Sequence, residues 1–348
     1  MIRRAFLGGA ALLAIAAAMP GQVLADASDG QIAAVIDEGL NRSEAMVMAS
    51  QLMDGIGPRP TNSQNYRRAS DWATQRMTAM GLQNVRREQS DFGLGWNVES
   101  FRAAMVTPRR IELTAMPVAW SPPTEGTLRA PVVVAPISKP EHFAAWKGKL
   151  AGKVVMISPP GTSGEPTRPA FRRLDDKAIA EHDDYDLPHH DPGAADLRLQ
   201  RSNFPLELSR FLKAYFNLDN GGGKIRGIYA EGNLAAEGTL GKWLKPFAAM
   251  GAGKVVTGKT GGTDHVFMQA IGLPGYQFIQ DPLDYDSRVH HTSIDTLDRL
   301  RGDDLRRAAT VMAAMLLQAA NSDRDLPRMP LPSKPVPTDP FKIRDPDE

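Results

Sequence analysis

Apolar positions recur at three- and four-residue spacing in four stretches, and each predicts an amphipathic helix. The first lies within residues 26–56, where Ser43 suits an N-cap and Ala45, Met48 and Leu52 share a face before Gly55 and Gly57-Pro58. In the second, Ser63 caps a run carrying Tyr66, Ala69, Ala73, Met77 and Met80, and Gly81 stands where a C-terminal glycine belongs. Residues 235–249 carry Leu240, Trp243, Leu244 and Phe247, while a last helix opens at Asp303-Asp304 and aligns Leu305, Ala308, Met312, Met315 and Ala319. Short β-type runs lie between them at 82–85, 111–113, 131–136, 153–157, 225–229, 254–257 and 276–279. Residues 208–215 read as either helix or strand, and 266–270 as a short helix that Asp264 would cap.

This order gives two textures. Helices and buried strands alternate in the C-terminal half, as in an α/β fold with a mostly parallel sheet flanked by helices. Residues 96–160 are instead short strands broken by proline and glycine, the pattern of an inserted β-rich domain. A charged connector with proline follows over 161–207, holding His182, His189 and His190 among carboxylates; it suits a solvated loop or, less naturally, a metal-binding segment. The remaining divisions are residues 26–95 as N-terminal helices of the main domain, 208–320 as its C-terminal part, and 321–348 as a proline-rich, disordered tail.

Composition narrows the chemistry. Lysine plus arginine (41) balances aspartate plus glutamate (40), and the formal charge of +1 provides no attraction for nucleic acid or an anionic membrane. Arg3-Arg4, an apolar run over 5–19 and Val23-Leu24-Ala25 have the order of a secretory signal peptide, with cleavage expected after Ala25 and a periplasmic or extracellular destination. With no cysteine in the 348 residues, any metal must be held by imidazole and carboxylate. Asp219, Asp264, His265, His290, His291 and Asp295 all fall at predicted strand or helix ends, and such ends converge on one edge of a parallel sheet. They suit zinc or another hydrolytic metal, and equally suit helix caps and structural hydrogen bonds.

Several motifs carry a resemblance to a known family. Gly57-Pro58-Arg59 with Trp72 and Gly81-Leu82, the segment Gly152-Lys153-Val154-Val155, Tyr215-Phe216-Asn217-Leu218-Asp219-Asn220-Gly221, Gly261-Gly262-Thr263-Asp264-His265, and His290-His291-Thr292 with Asp295-Thr296 are similar to those of the secreted zinc aminopeptidases and carboxypeptidase Q-like exopeptidases. The resemblance implies a phosphorylase/hydrolase-like zinc exopeptidase core with an inserted protease-associated domain, two zinc ions, and hydrolysis of a terminal bond in a short peptide by metal-activated water. It assigns Asp219 to one zinc and His291 to the other, with Asp264, His265, His290 and Asp295 beside the ligands or on the substrate side. A dimer is among the oligomeric states it allows.

One departure changes the expectation. The family carries a His-x-Asp ligand, a bridging aspartate and a Glu-Glu pair between the inserted domain and the Asn-Leu-Asp-Asn motif, whereas the connector here offers no His-x-Asp-Ser-type strand end, no bridging Asp-Asn-Gly-x-Gly motif and no glutamate pair. The core is therefore expected to be incomplete and the chain poorly active, through an internal deletion or as a degenerate relative, unless His182, His189 and His190 restore the site. A non-catalytic periplasmic peptide-binding or interaction protein is the alternative.

Overall fold

The computed structural model describes residues 26–89, 92–137, 139–158, 161, 164–183, 208–261 and 263–329. The expected signal peptide, His189, His190 and the tail beyond Met329 lie outside the described residues. One compact unit takes in the described chain up to Ala119 and again from Ala170; residues 120–169 belong to another.

In the larger unit, α1 (Asp29–Asn41) starts at Ser28, whose hydroxyl accepts from the Gln31 amide while the Gln31 side chain accepts from the Ser28 amide. This reciprocal cap satisfies two amide donors that a helix start leaves without partners. After α2 (Ala45–Ser50) and a wide turn at Gln51–Ile56 comes α3 (Gln64–Ala79), capped as predicted by Ser63, whose hydroxyl accepts from the Tyr66 amide at 3.0 Å. The helix forms, yet none of its residues is buried, and Tyr66 and Met77 are 45% and 47% exposed. Residues 82–85 form no strand. An extended segment needs a partner ladder, and no described strand lies beside it. The two-residue strands β1 (Ala104–Met105) and β2 (Ile111–Glu112) pair antiparallel.

In the smaller unit, β3 (Val132–Val134) and β4 (Val154–Met156) pair in parallel, with α4 (His142–Trp146) between them in sequence.

From Ala170 the larger unit continues through α5 (Asp176–Ala180) and α6 (Leu208–Phe211) to its main sheet. The strands are β5 (Tyr215–Asn217), β6 (Ile225–Tyr229), β7 (Lys254–Val256) and β8 (Gly275–Gln280), in the spatial order β5-β8-β6-β7. Two of the three pairings are parallel and one, β6 with β8, is antiparallel, so the sheet is mixed. All six residues of β8 are buried, as expected for a central strand.

Alternation along the strands separates two faces. Phe216, Ile228, Tyr276 and Phe278 point to the main core, which is completed by Leu240, Trp243 and Leu244 of α7 (Leu234–Leu244) and by Ala308, Val311, Ala314 and Met315 of α9 (Gly302–Asn321). Tyr229, Val256 and Ile279 face the other way, onto Leu174 and Ile179. A short helix, α8 (His265–Ala270), joins β7 to β8. Helix α1 lies against α9 so closely that a Cβ at Gly39 would stand 2.1 Å from the Thr310 hydroxyl oxygen, so only glycine fits this crossing.

Candidate active site

Four of the six residues singled out from the sequence share one electrostatic environment, at the turns following β5, β7 and β8. Asp219 lies two residues beyond β5, Asp264 immediately before α8, and His290 and His291 at the end of the wide turn Tyr285–Val289. Asp219 stands at the surface. Even so, the protein packed on its inner side and the Asp264 carboxylate push its carboxyl above the ordinary range, while His290 and His291 pull it back. Tyr215 is raised by burial and by Asp264 and Asp219, and Tyr285 by burial and by Asp219, Asp286 and Asp295. Asp295 thus acts on Tyr285 through its charge. The rings of Tyr285, His290 and His291 stack in series, with centroids 4.6 Å and 3.8 Å apart. His291 has φ of 55°, in the left-handed region, where histidine is found more often than most residues with a side chain.

His265 belongs elsewhere. It is wholly buried, with Nε2 3.2 Å from a Glu231 carboxylate oxygen and Nδ1 2.6 Å from the Thr263 hydroxyl, so it lies within the protein beneath the exposed cluster. Asp264 occupies the position before α8 but makes no capping hydrogen bond, contrary to the sequence expectation, and its carboxylate is left exposed beside Asp219. His182 of the connector is used in packing, its ring edge-on to Tyr229 at 5.6 Å.

Residues that the sequence reading passed over hold the turn in place. Asp281, at the end of β8 and fully buried, accepts hydrogen bonds from the Leu174 amide (2.9 Å), Arg173 (2.8 Å) and Arg226 (3.2 Å). Arg173 also donates to Asp304 of α9. The same segment forms a two-way backbone bridge between Arg172 and Leu283, and the Ser287 hydroxyl donates to the Ala170 carbonyl. Residues 170–174 thus brace the turn that presents His290 and His291. The available signal was Asp281 itself, a charged residue ending an apolar strand, which requires a partner when buried.

The zinc implied by the sequence resemblance does not fit the donors found. His290 and His291 act on the Asp219 carboxyl through their charge, but among the described residues no three histidine, aspartate or glutamate side chains are grouped to hold a metal ion. A zinc site requires three or four protein ligands.

The sheet with helices on both faces and a polar cluster at its strand ends defines an α/β protein. Residues 200–316 match the model of Peptidase family M28. Among solved structures, a Peptidase M28 precursor from Shewanella amazonensis SB2B superposes with a TM-score of 0.54 at 15% identity, covering 88% of this chain and 99% of its own, and the two share a fold. An aminopeptidase from Aneurinibacillus sp. strain AM-1 matches at 21% identity over 40% of this chain and 32% of its own; its TM-score of 0.28 does not bear on the fold. No curated protein matches. Among the described residues no helix is long and apolar enough to cross a membrane.

The raised Asp219 carboxyl has a measurable consequence. The folded chain holds this proton more tightly than the unfolded chain, so the group's contribution to stability is complete below the ordinary aspartate range and is lost as pH rises through the raised value. Asp219→Asn, which cannot ionise, is expected to unfold at a higher temperature than the native protein at about pH 7 and at the same temperature at about pH 3. A gain of equal size at both pH values would show that the carboxylate charge is not the cause.

Proposed function

We propose that this chain is an exported relative of the zinc-dependent exopeptidases whose hydrolytic activity is impaired. The observation that carries the reading is the partial site: the charge of His291 acts on the Asp219 carboxyl, which supports their pairing as remnants of the family's ligands, while among the described residues no group of three histidine, aspartate or glutamate side chains could hold a metal ion. The match of residues 200–316 to Peptidase family M28 supports the lineage. The exposed apolar face of α3 supports an incomplete core, since an amphipathic helix ordinarily buries that face. On this reading the ligand class is a short peptide presenting a free terminus. The exposed cluster of Asp219, Asp264 and stacked aromatic rings offers charge and ring faces to such an end without a means of activating water.

Zinc content and turnover test the proposal together. Purified protein dialysed against zinc is expected to retain well under one ion per chain, and to show no chelator-sensitive release of amino acids from a panel of di- and tripeptides. Stoichiometric zinc with chelator-sensitive hydrolysis would overturn the impairment. Peptide binding without turnover would favour the second reading, a non-catalytic peptide-binding protein built on the same fold.

A further inference from the structure

Beneath the exposed cluster lies a chain of buried polar groups that the zinc chemistry does not use. It starts at Glu231, which has φ of 56° in the turn after β6 and is 6% exposed. One carboxylate oxygen accepts the Thr260 amide at 3.0 Å, and the other accepts the Thr260 hydroxyl at 2.6 Å. The Thr260 hydroxyl has only one proton, and that proton is committed to Glu231. Its oxygen, 3.0 Å from His265 Nε2, can therefore only accept. Both neighbours of Nε2, the Thr260 oxygen and the Glu231 oxygen at 3.2 Å, are thus acceptors, and Nε2 must carry a hydrogen.

The other ring nitrogen is fixed by distance. The Thr263 hydroxyl lies 2.6 Å from Nδ1 and 3.5 Å from the Gln277 side-chain oxygen, so Nδ1 is its nearer partner, and of the two tautomers of the ring the one that fits both sides is Nε2–H, with Nδ1 accepting. The chain continues through Gln277, whose oxygen accepts from the Asn217 amide at 2.5 Å, to Tyr215, whose hydroxyl is 3.4 Å from the Asn217 oxygen. Asn217 and Gln277 are register partners on β5 and β8, two residues before Asp219 and twelve after His265. Gly275 makes the close approach possible, since a Cβ there would meet the His265 carbonyl at 2.7 Å.

We propose that Glu231 is the positioning residue of the exposed cluster: by clamping Thr260 and fixing the tautomer of His265, it holds the loop that presents Asp264 to Asp219. The proposal rests on the reading of that cluster as the ligand site. Glu231 accepts three donors, an arrangement that stabilises a buried carboxylate and compensates for the left-handed backbone it occupies.

Nitrogen-15 spectroscopy of histidine-labelled protein tests it. The native protein is expected to show His265 as the Nε2–H form. In Glu231→Gln, the remaining oxygen must still accept the Thr260 amide, which turns the new NH2 group toward Nε2, so His265 is expected to switch to the Nδ1–H form. Amide exchange at Thr260 and Val266 is expected to quicken about tenfold, the equivalent of one hydrogen bond, with β6 and β8 unchanged. Thr263→Val, which leaves Glu231 in place, is expected to keep the Nε2–H form. Three results would overturn the proposal: an Nδ1–H imidazole in the native protein, an unchanged tautomer in Glu231→Gln, or loss of the Nε2–H form in Thr263→Val. Should Glu231→Gln not fold, the native protein and Thr263→Val decide the matter. None of these readouts uses zinc or peptide, so failure here leaves the exopeptidase reading standing, and failure of that reading leaves the tautomer result intact.

Discussion

Asp281→Ala is expected to destabilise the larger unit by about 3 kcal/mol, near the lower end for breaking a buried ion pair. The carboxylate is fully buried and serves three donors at once: the Leu174 amide, Arg173 and Arg226. Alanine removes every acceptor, leaving a buried N–H unsatisfied and the Arg226 guanidinium, whose side chain is 14% exposed, without its carboxylate. The figure is kept at the low end because Arg173 is 42% exposed and retains Asp304. Asp281→Asn keeps one oxygen as an acceptor but turns an NH2 group toward a guanidinium, and about half the loss is expected. Urea unfolding followed by circular dichroism measures both. If the alanine variant lost less than about 1 kcal/mol, the bracing role of residues 170–174 would be excluded. The same variant should loosen the turn at Tyr285–Val289, because Arg172–Leu283 pairing depends on the segment that Asp281 anchors.

Trp243→Ala is expected to cost about 3–5 kcal/mol. The indole is 1% exposed, fills the main core between the sheet and α9, and is among the largest fully buried side chains. Its backbone carbonyl accepts from the Gln318 side chain at 2.8 Å, so collapse of α7 into the void would break a buried hydrogen bond as well. The site can relax little, because Leu240, Leu244 and Phe247 around it are themselves fully buried. Trp243→Phe should recover more than half of the loss. A cost near 1 kcal/mol for the alanine variant would mean that this core is loosely packed and can reform around the gap.

Much of the secondary structure was legible because it depends on local rules. The Ser63 cap, the apolar stripe of the last helix, and the strand at 276–279 with Gly275 before it are decided by groups within four residues of one another. The expected strand at 82–85 did not form because a strand is defined by its neighbour, which the local sequence does not supply. For the same reason, the periodicity of α3 predicted the helix correctly but not whether anything would cover its apolar face.

The candidate site divides in the same way. Asp219, Asp264, His290, His291 and Asp295 could be singled out by residue type and by position at element ends; Asp264, His290 and His291 act on the Asp219 carboxyl through their charge, and Asp219 and Asp295 act on the Tyr285 hydroxyl. His265 carries the same sequence signal as Asp264, but the first turn of α8 directs it inward, where Glu231, 34 residues earlier, decides its hydrogen bonding. Glu231, Gln277 and Asp281 gave little sign of their roles, since each acts through partners brought together by strand pairing and not by sequence proximity.

The sequence by itself determined most of the helices and sheet strands, the Ser63 cap and the kind of chemistry a cysteine-free set of imidazoles and carboxylates can support, because these follow from side-chain type and short-range spacing. Only the tertiary structure decided which of those side chains face solvent together, which are spent on internal hydrogen bonds, and how few adjoin as metal donors. Those outcomes depend on distances between residues far apart in the chain, which packing sets and composition does not.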